Sequence, residues 1–134
     1  MHAYDFGQHF PQSFNQIWIH VMNVVVLRGT LQDEPLERTL SSGVTVTNWE
    51  VRAADTETVQ TVPVQWEDAD RRVQAITAGD EVVVLGTIRR RFFRTGGATA
   101  ARTEVLGAQM AKPTQRKAMA KVLNHAQAAL ATEQ

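Results

Sequence analysis

Between Asn23 and Met110 the apolar positions fall into short runs rich in β-branched residues: Val24–Leu31, Val44–Ala53, Val59–Trp66, Val82–Phe93 and Arg102–Met110. Runs of this length and composition predict five strands. The intervening residues carry turn chemistry, with Asp33-Glu34-Pro35, Ser41-Ser42-Gly43 and Gly79-Asp80 reversing the chain and Gly96-Gly97 supplying a loop tip at positive φ. Between the third and fourth runs the pattern changes. Val73 and Ile76, three apart, make one apolar face, and Asp68 or Asp70 stands where a helix N-cap is expected, so a short helix is placed there. Beyond Pro113, a residue suited to a first helical turn, Met119, Val122, Ala126 and Ala129 or Leu130 recur at helical spacing. A helix over 114–131 follows.

The order β-β-β-α-β-β is that of the OB-fold, a small Greek-key barrel whose open face takes oligonucleotides or oligosaccharides. The expected class is all-β: a five-stranded OB-fold barrel with a short helix between strands three and four, plus a C-terminal α-helix. Residues 1–22 mix Phe6, Phe10, Phe14, Trp18 and three histidines without a sustained period and read as an N-terminal extension. The barrel domain is expected over 23–111 and the helical segment over 112–134.

Composition narrows the chemistry. The 134 residues contain no cysteine, which excludes disulfides, thiolate metal sites and cysteine nucleophiles. Fourteen basic and fourteen acidic residues cancel overall, yet residues 1–85 hold five Lys/Arg against twelve Asp/Glu, and residues 86–134 hold nine against two. A strongly basic second part suggests a polyanion partner, although a solvated face or pairing between the two halves gives the same count. No apolar run is long enough to span a bilayer and no secretory signal is visible, so a cytoplasmic location is expected.

Several segments, in order, carry a family likeness: Met22-Asn23-Val24-Val25-Val26-Leu27-Arg28-Gly29-Thr30-Leu31, Asp33-Glu34-Pro35, Ser42-Gly43, Val46-Thr47-Asn48-Trp49, Gly79 through Arg89, and Thr103-Glu104-Val105. Together, over roughly 23–110, they resemble the bacterial single-stranded DNA-binding protein family. The resemblance implies sequence-tolerant binding of single-stranded DNA in replication, repair or recombination, and assembly as a homo-oligomer, a tetramer or dimer. Three departures from the family stand out. Only a few residues around Asp55-Thr56-Glu57 replace its long loop between strands two and three. The chain ends Ala131-Thr132-Glu133-Gln134 without the acidic, Phe-terminated tip that recruits partners, so a hub role is not expected. Family members begin near Met22-Asn23, which makes the first 21 residues either a real addition or the product of an upstream translation start.

Binding single strands without sequence preference needs cations along the phosphates and aromatic faces for unstacked bases. In Ile88-Arg89-Arg90-Arg91-Phe92-Phe93-Arg94, period two sets Arg89, Arg91 and Phe93 on one face and Ile88, Arg90 and Phe92 on the other. With Ile88 expected in the core, Arg89, Arg91 and Phe93 point outward, and the resemblance also puts a base-stacking aromatic at Phe93. As exposed arginines, Arg89 and Arg91 are expected to contribute little to folding. Trp66 is a second stacking candidate by resemblance. Strand parity turns it inward with Val62 and Val64 unless Pro63 marks a bulge. Trp49 is expected to pack in the core beside Val51, with a shift of phase separating that pair from Val44 and Val46. Arg28, Arg94 and Arg102 are secondary phosphate candidates, and Arg116, Lys117 and Lys121 fit a solvated helix face at least as well as a nucleic-acid contact. No nucleotide-binding, hydrolase or zinc-protease motif is present and His2, His9, His20 and His125 lack metal-ligand spacing, so neither enzyme activity, nor a metal, nor a cofactor is expected. The rival function is an OB-fold protein-interaction or primosome-like module with weak nucleic-acid affinity.

Overall fold

The computed structural model describes residues 23–54 and 57–131. The N-terminal extension, with Phe6, Phe10, Phe14 and Trp18, therefore lies outside the described residues. Six strands and two helical segments follow in the order β1 (Val25–Leu31), β2 (Leu36–Thr39), β3 (Thr45–Ala54), β4 (Val59–Glu67), α1 (Arg71–Gln74), β5 (Glu81–Thr95), β6 (Ala98–Ala111) and α2 (Arg116–Ala131). The sheet runs β1-β5-β6-β4-β3, and β3 pairs back to β1 through Thr30↔Arg52 and Leu31↔Val51. Five strands thus close a barrel. All its pairings are antiparallel except β4 with β6, which are parallel at Val64↔Val105 and Gln65↔Leu106.

Alternation explains the barrel interior. Trp49 and Val51 of β3, Val64 and Trp66 of β4, Val82 and Val84 of β5, Val105 and Met110 of β6 and Leu31 of β1 turn inward and pack together. By strict period two Val105 and Met110 would face opposite ways. Between Leu85↔Gln109 and Gly86↔Gly107 the register shifts, leaving Ala108 as an extra residue, and this bulge brings both side chains inside. Where the short helix is expected there is a single helical turn, Arg71–Gln74. Its Asp70 carboxylate accepts from the Val73 N–H at 3.0 Å, and Val73 joins the core together with Ile76 just beyond the turn.

The C-terminal helix α2 lies on the outside of the barrel. Its Ala118, Val122 and Ala126 cover Val83 and Leu85 of β5 and Ala111 of β6. Residues 82–85 of β5 are consequently buried on both faces, which is why they read as an unbroken apolar run. Of the two alternatives for the end of the helical stripe, Leu130 is exposed.

β2 has no counterpart in the hydrophobic pattern. All four of its residues are exposed, and it exists through its pairing with Thr45–Asn48 of β3. The phase shift expected within β3 is absent, since its register with β4 is continuous from Val46↔Glu67 to Ala54↔Val59. Val46 simply lies on the outer face and is buried there. Residues 55–58 alone connect β3 to β4, with 55 and 56 outside the described residues. No helix among the described residues is long and apolar enough to cross a membrane.

Candidate nucleic-acid interface

β5 and β6 run on past the barrel as a two-stranded arm, turning at Gly96-Gly97, where φ values of 56° and 82° suit a two-residue hairpin turn. β1 accompanies β5 only as far as Val25↔Gly86. The Asn23 side chain then stands in for one more strand residue: its Nδ2 donates to the Ile88 carbonyl and its Oδ1 accepts from the Ile88 N–H, both at 2.8 Å. Beyond this point the described residues include no strand on that edge of β5. Ile88 is therefore 50% exposed, a correction to its expected place in the core. It shares a face with buried Val105, its partner across the ladder, but it lies where β1 has already left.

The outward face of the arm carries Arg89, Arg91 and Phe93, opposite Glu104, Arg102 and Ala100 of β6. Phe93 is 37% exposed, with the Arg91 guanidinium 5.3 Å from its ring centroid. On the reverse face Arg90 sits 5.7 Å from the more exposed ring of Phe92. Period two thus sorts these residues correctly even though Ile88, the reference for that sorting, is not buried.

Glu104 organises this face. Its carboxylate is fully buried and accepts from Arg89 Nε at 2.9 Å and from Arg91 Nε at 3.3 Å. Both guanidinium groups are held by the same atom type, Nε. Arg89 Nη1 reaches Glu67 at 3.5 Å, and Arg102 Nη2 reaches Glu50 at 2.7 Å. Glu50 also accepts from Asn48 Nδ2 at 3.0 Å, and Asn48 Oδ1 accepts from the buried Gln65 Nε2 at 2.6 Å. The result is a polar network in two parts across the outer faces of β3, β4, β6 and β5, one of Arg89 and Arg91 with Glu104 and Glu67, the other of Arg102 with Glu50, Asn48 and Gln65. Three guanidinium groups meet three carboxylates, so the face is close to neutral. Beside it Leu36 and Arg38 of β2, with Val46, Asn48, Gln65, Arg91 and Arg102, line a groove of about 210 Å³.

Other expected contacts fall elsewhere. Trp66 is only 5% exposed and packs against Trp49, ring centroids 5.3 Å apart, with Gly107 over its indole. Pro63 produces no bulge, so parity turns Trp66 inward and its ring offers no open face to a base. Trp49, as expected, is fully buried. Arg28 pairs with Glu81 at 2.8 Å, outside the network, and Arg94 donates to the Gly97 carbonyl at 3.1 Å at the tip of the arm. The expectation that Arg89 and Arg91 matter little to folding also needs correction, because each is a counterion to a buried acid.

Sequence reasoning passed over Glu104, Glu50 and Glu67 as parts of the site. One signal was available: Glu104 is the only acidic residue between 82 and 132, set in a strand predicted to neighbour an arginine-rich one. Among the described residues no group of three or more His, Asp or Glu side chains is disposed to hold a metal ion. Compared with models of protein families and with curated proteins, the chain finds no match.

Proposed function

We propose that the protein binds single-stranded DNA without strong sequence preference, in replication, repair or recombination, with the barrel as an OB-fold and the outward face of β5 and β6 as the contact surface. One observation carries the reading. Arg89 and Arg91 stand side by side on a projecting strand, fixed by a buried acid through Nε, with a partly exposed phenyl ring two residues further on. Fixed guanidinium groups suit phosphates, and an adjacent ring suits an unstacked base. The strand order, with its one parallel pairing, supports the OB-fold reading, and the resemblance over 23–110 adds a homo-oligomer, a tetramer or dimer.

A second reading, a protein-interaction module on the same barrel, is favoured by the neutrality of the arginine face and the burial of Trp66. Anisotropy of a dye-labelled oligo-dT, titrated with the full chain at two salt concentrations, separates the two. Saturable binding that weakens steeply with salt is expected. Absence of binding at low salt overturns the DNA reading. An extrinsic dye reports on the surface directly, whereas Trp49 and Trp66, both buried, are insulated from a strand there.

A further inference from the structure

The three carboxylates on the arginine face are not equivalent. Glu104 has no exposed surface and takes the Nε of both Arg89 and Arg91, so its departure would strand a buried charge. Glu67 and Glu50 are partly exposed, at 52% and 30%, and each touches a terminal guanidinium nitrogen: Nη1 of Arg89 for Glu67 and Nη2 of Arg102 for Glu50. Those outer nitrogens belong to the planar fork that grips phosphate oxygens. Neither carboxylate is trapped. Glu67 ends β4 in contact with water, and Glu50 keeps the Asn48 amide as a donor when Arg102 turns away.

We propose that the Glu50 and Glu67 carboxylates occupy, in the free protein, the positions on Arg102 and Arg89 that phosphates take on binding, so that a strand binds by exchange rather than by filling an empty cationic groove. The proposal rests on the single-stranded DNA reading above. Such a face has little net charge until a polyanion competes for it, which restrains non-specific adhesion. It also predicts an unusual salt response. Each displaced carboxylate recruits a cation from solution, offsetting one released from the DNA, so the dependence on salt is shallower than the number of phosphate contacts implies.

The test compares Glu50→Gln, Glu67→Gln and their double variant with Asp33→Asn, which changes charge equally from an exposed turn outside the network. Labelled oligo-dT is titrated with each full-length protein over a salt series, and thermal melts check that each is folded. Each glutamine substitution is expected to tighten binding about two- to fivefold at low salt. It should also steepen the slope of log K against log salt by up to about 0.7, while Asp33→Asn does neither to that extent. Should Glu50→Gln melt early, Glu67→Gln alone decides. Wild type that binds while the glutamine variants match Asp33→Asn overturns the exchange and leaves the DNA reading standing. Binding by the glutamine variants alone shows that phosphates do not displace the carboxylates of the natural chain, and overturns the exchange together with the DNA reading. Failure of every protein to bind overturns both.

Discussion

Replacing Arg89 and Arg91 together by alanine tests how the arginine face is held. The double substitution takes away both cations from a carboxylate that has no solvent-exposed surface. Breaking a buried ion pair from one side costs about 3–5 kcal/mol, because the remaining charge is left without compensation. Here the two arginine side chains are themselves 34% and 31% exposed, so water enters the space they vacate, which sets the loss near the lower end, about 3 kcal/mol. That is a large part of the ~5–15 kcal/mol that holds a domain together. Adding Glu104→Leu removes the stranded charge at similar volume. The triple variant should therefore regain about 2 kcal/mol, although it carries one more substitution in the same strand pair. Urea denaturation followed by far-ultraviolet circular dichroism reads both steps as shifts of the midpoint at constant m. A double variant that unfolds at the wild-type midpoint, or a triple variant less stable than the double, refutes the account of Glu104 as a buried acid neutralised by these two arginines.

Three further outcomes follow from other parts of the molecule. Phe93→Ala should weaken oligo-dT binding by about 1–3 kcal/mol by anisotropy, with Phe93→Trp binding like wild type; equal affinity of the alanine variant would remove the ring from the contact surface. Gly107→Ala places a Cβ 2.6 Å from the Trp66 ring, so about 1–3 kcal/mol of stability should be lost in the same urea assay. A variant as stable as wild type would show that the indole has room to move. The Thr77 backbone N–H, at 3.0 Å, holds the Asp80 carboxyl below its ordinary value of 3.8 against the opposing effect of burial, and Lys112 acts in the same direction. Its contribution is then present above that value and is lost as pH falls through the lowered one, so Asp80→Asn should be less stable than wild type at neutral pH and converge with it in acid.

The barrel strands were legible because their apolar residues line one closed interior and their turns have strong chemistry. β2 was not, since exposed Leu36, Glu37, Arg38 and Thr39 pair by backbone alone and leave no periodic trace. The arm beyond Phe93 and before Arg102 was missed for a related reason: Ala98, Ala100 and Ala101 are poor strand formers held by the hairpin turn. At the site, period two sorted Arg89, Arg91 and Phe93 correctly, but the charge partners were out of reach. Arg89 and Glu104 are fifteen positions apart and Arg102 and Glu50 fifty-two, so their meeting depends on register across three strands. Burial of Ile88 failed as an expectation because a strand may outlast its neighbour, and alternation says nothing about where β1 stops.

The free side of the β5 arm has a bearing on association quite apart from any ligand. From Arg89 onward no strand among the described residues pairs with that side of β5, the condition under which sheets grow from one molecule into the next. Arg89 and Arg91 are drawn to the other side by Glu104 and Glu67, but Arg90 and Arg94 form no ion pair among the described residues, and no acidic residue lies between Val82 and Thr103. Two copies aligned antiparallel there would set cation against cation, which opposes the pairing. Arg90 and Arg94 are thus expected to oppose runaway sheet extension, and alanine in their place leaves exposed Ile88 and Phe92 along a less charged rim. Lysine at the same two positions keeps the repulsion, so only the alanine variants should gain a tendency to associate.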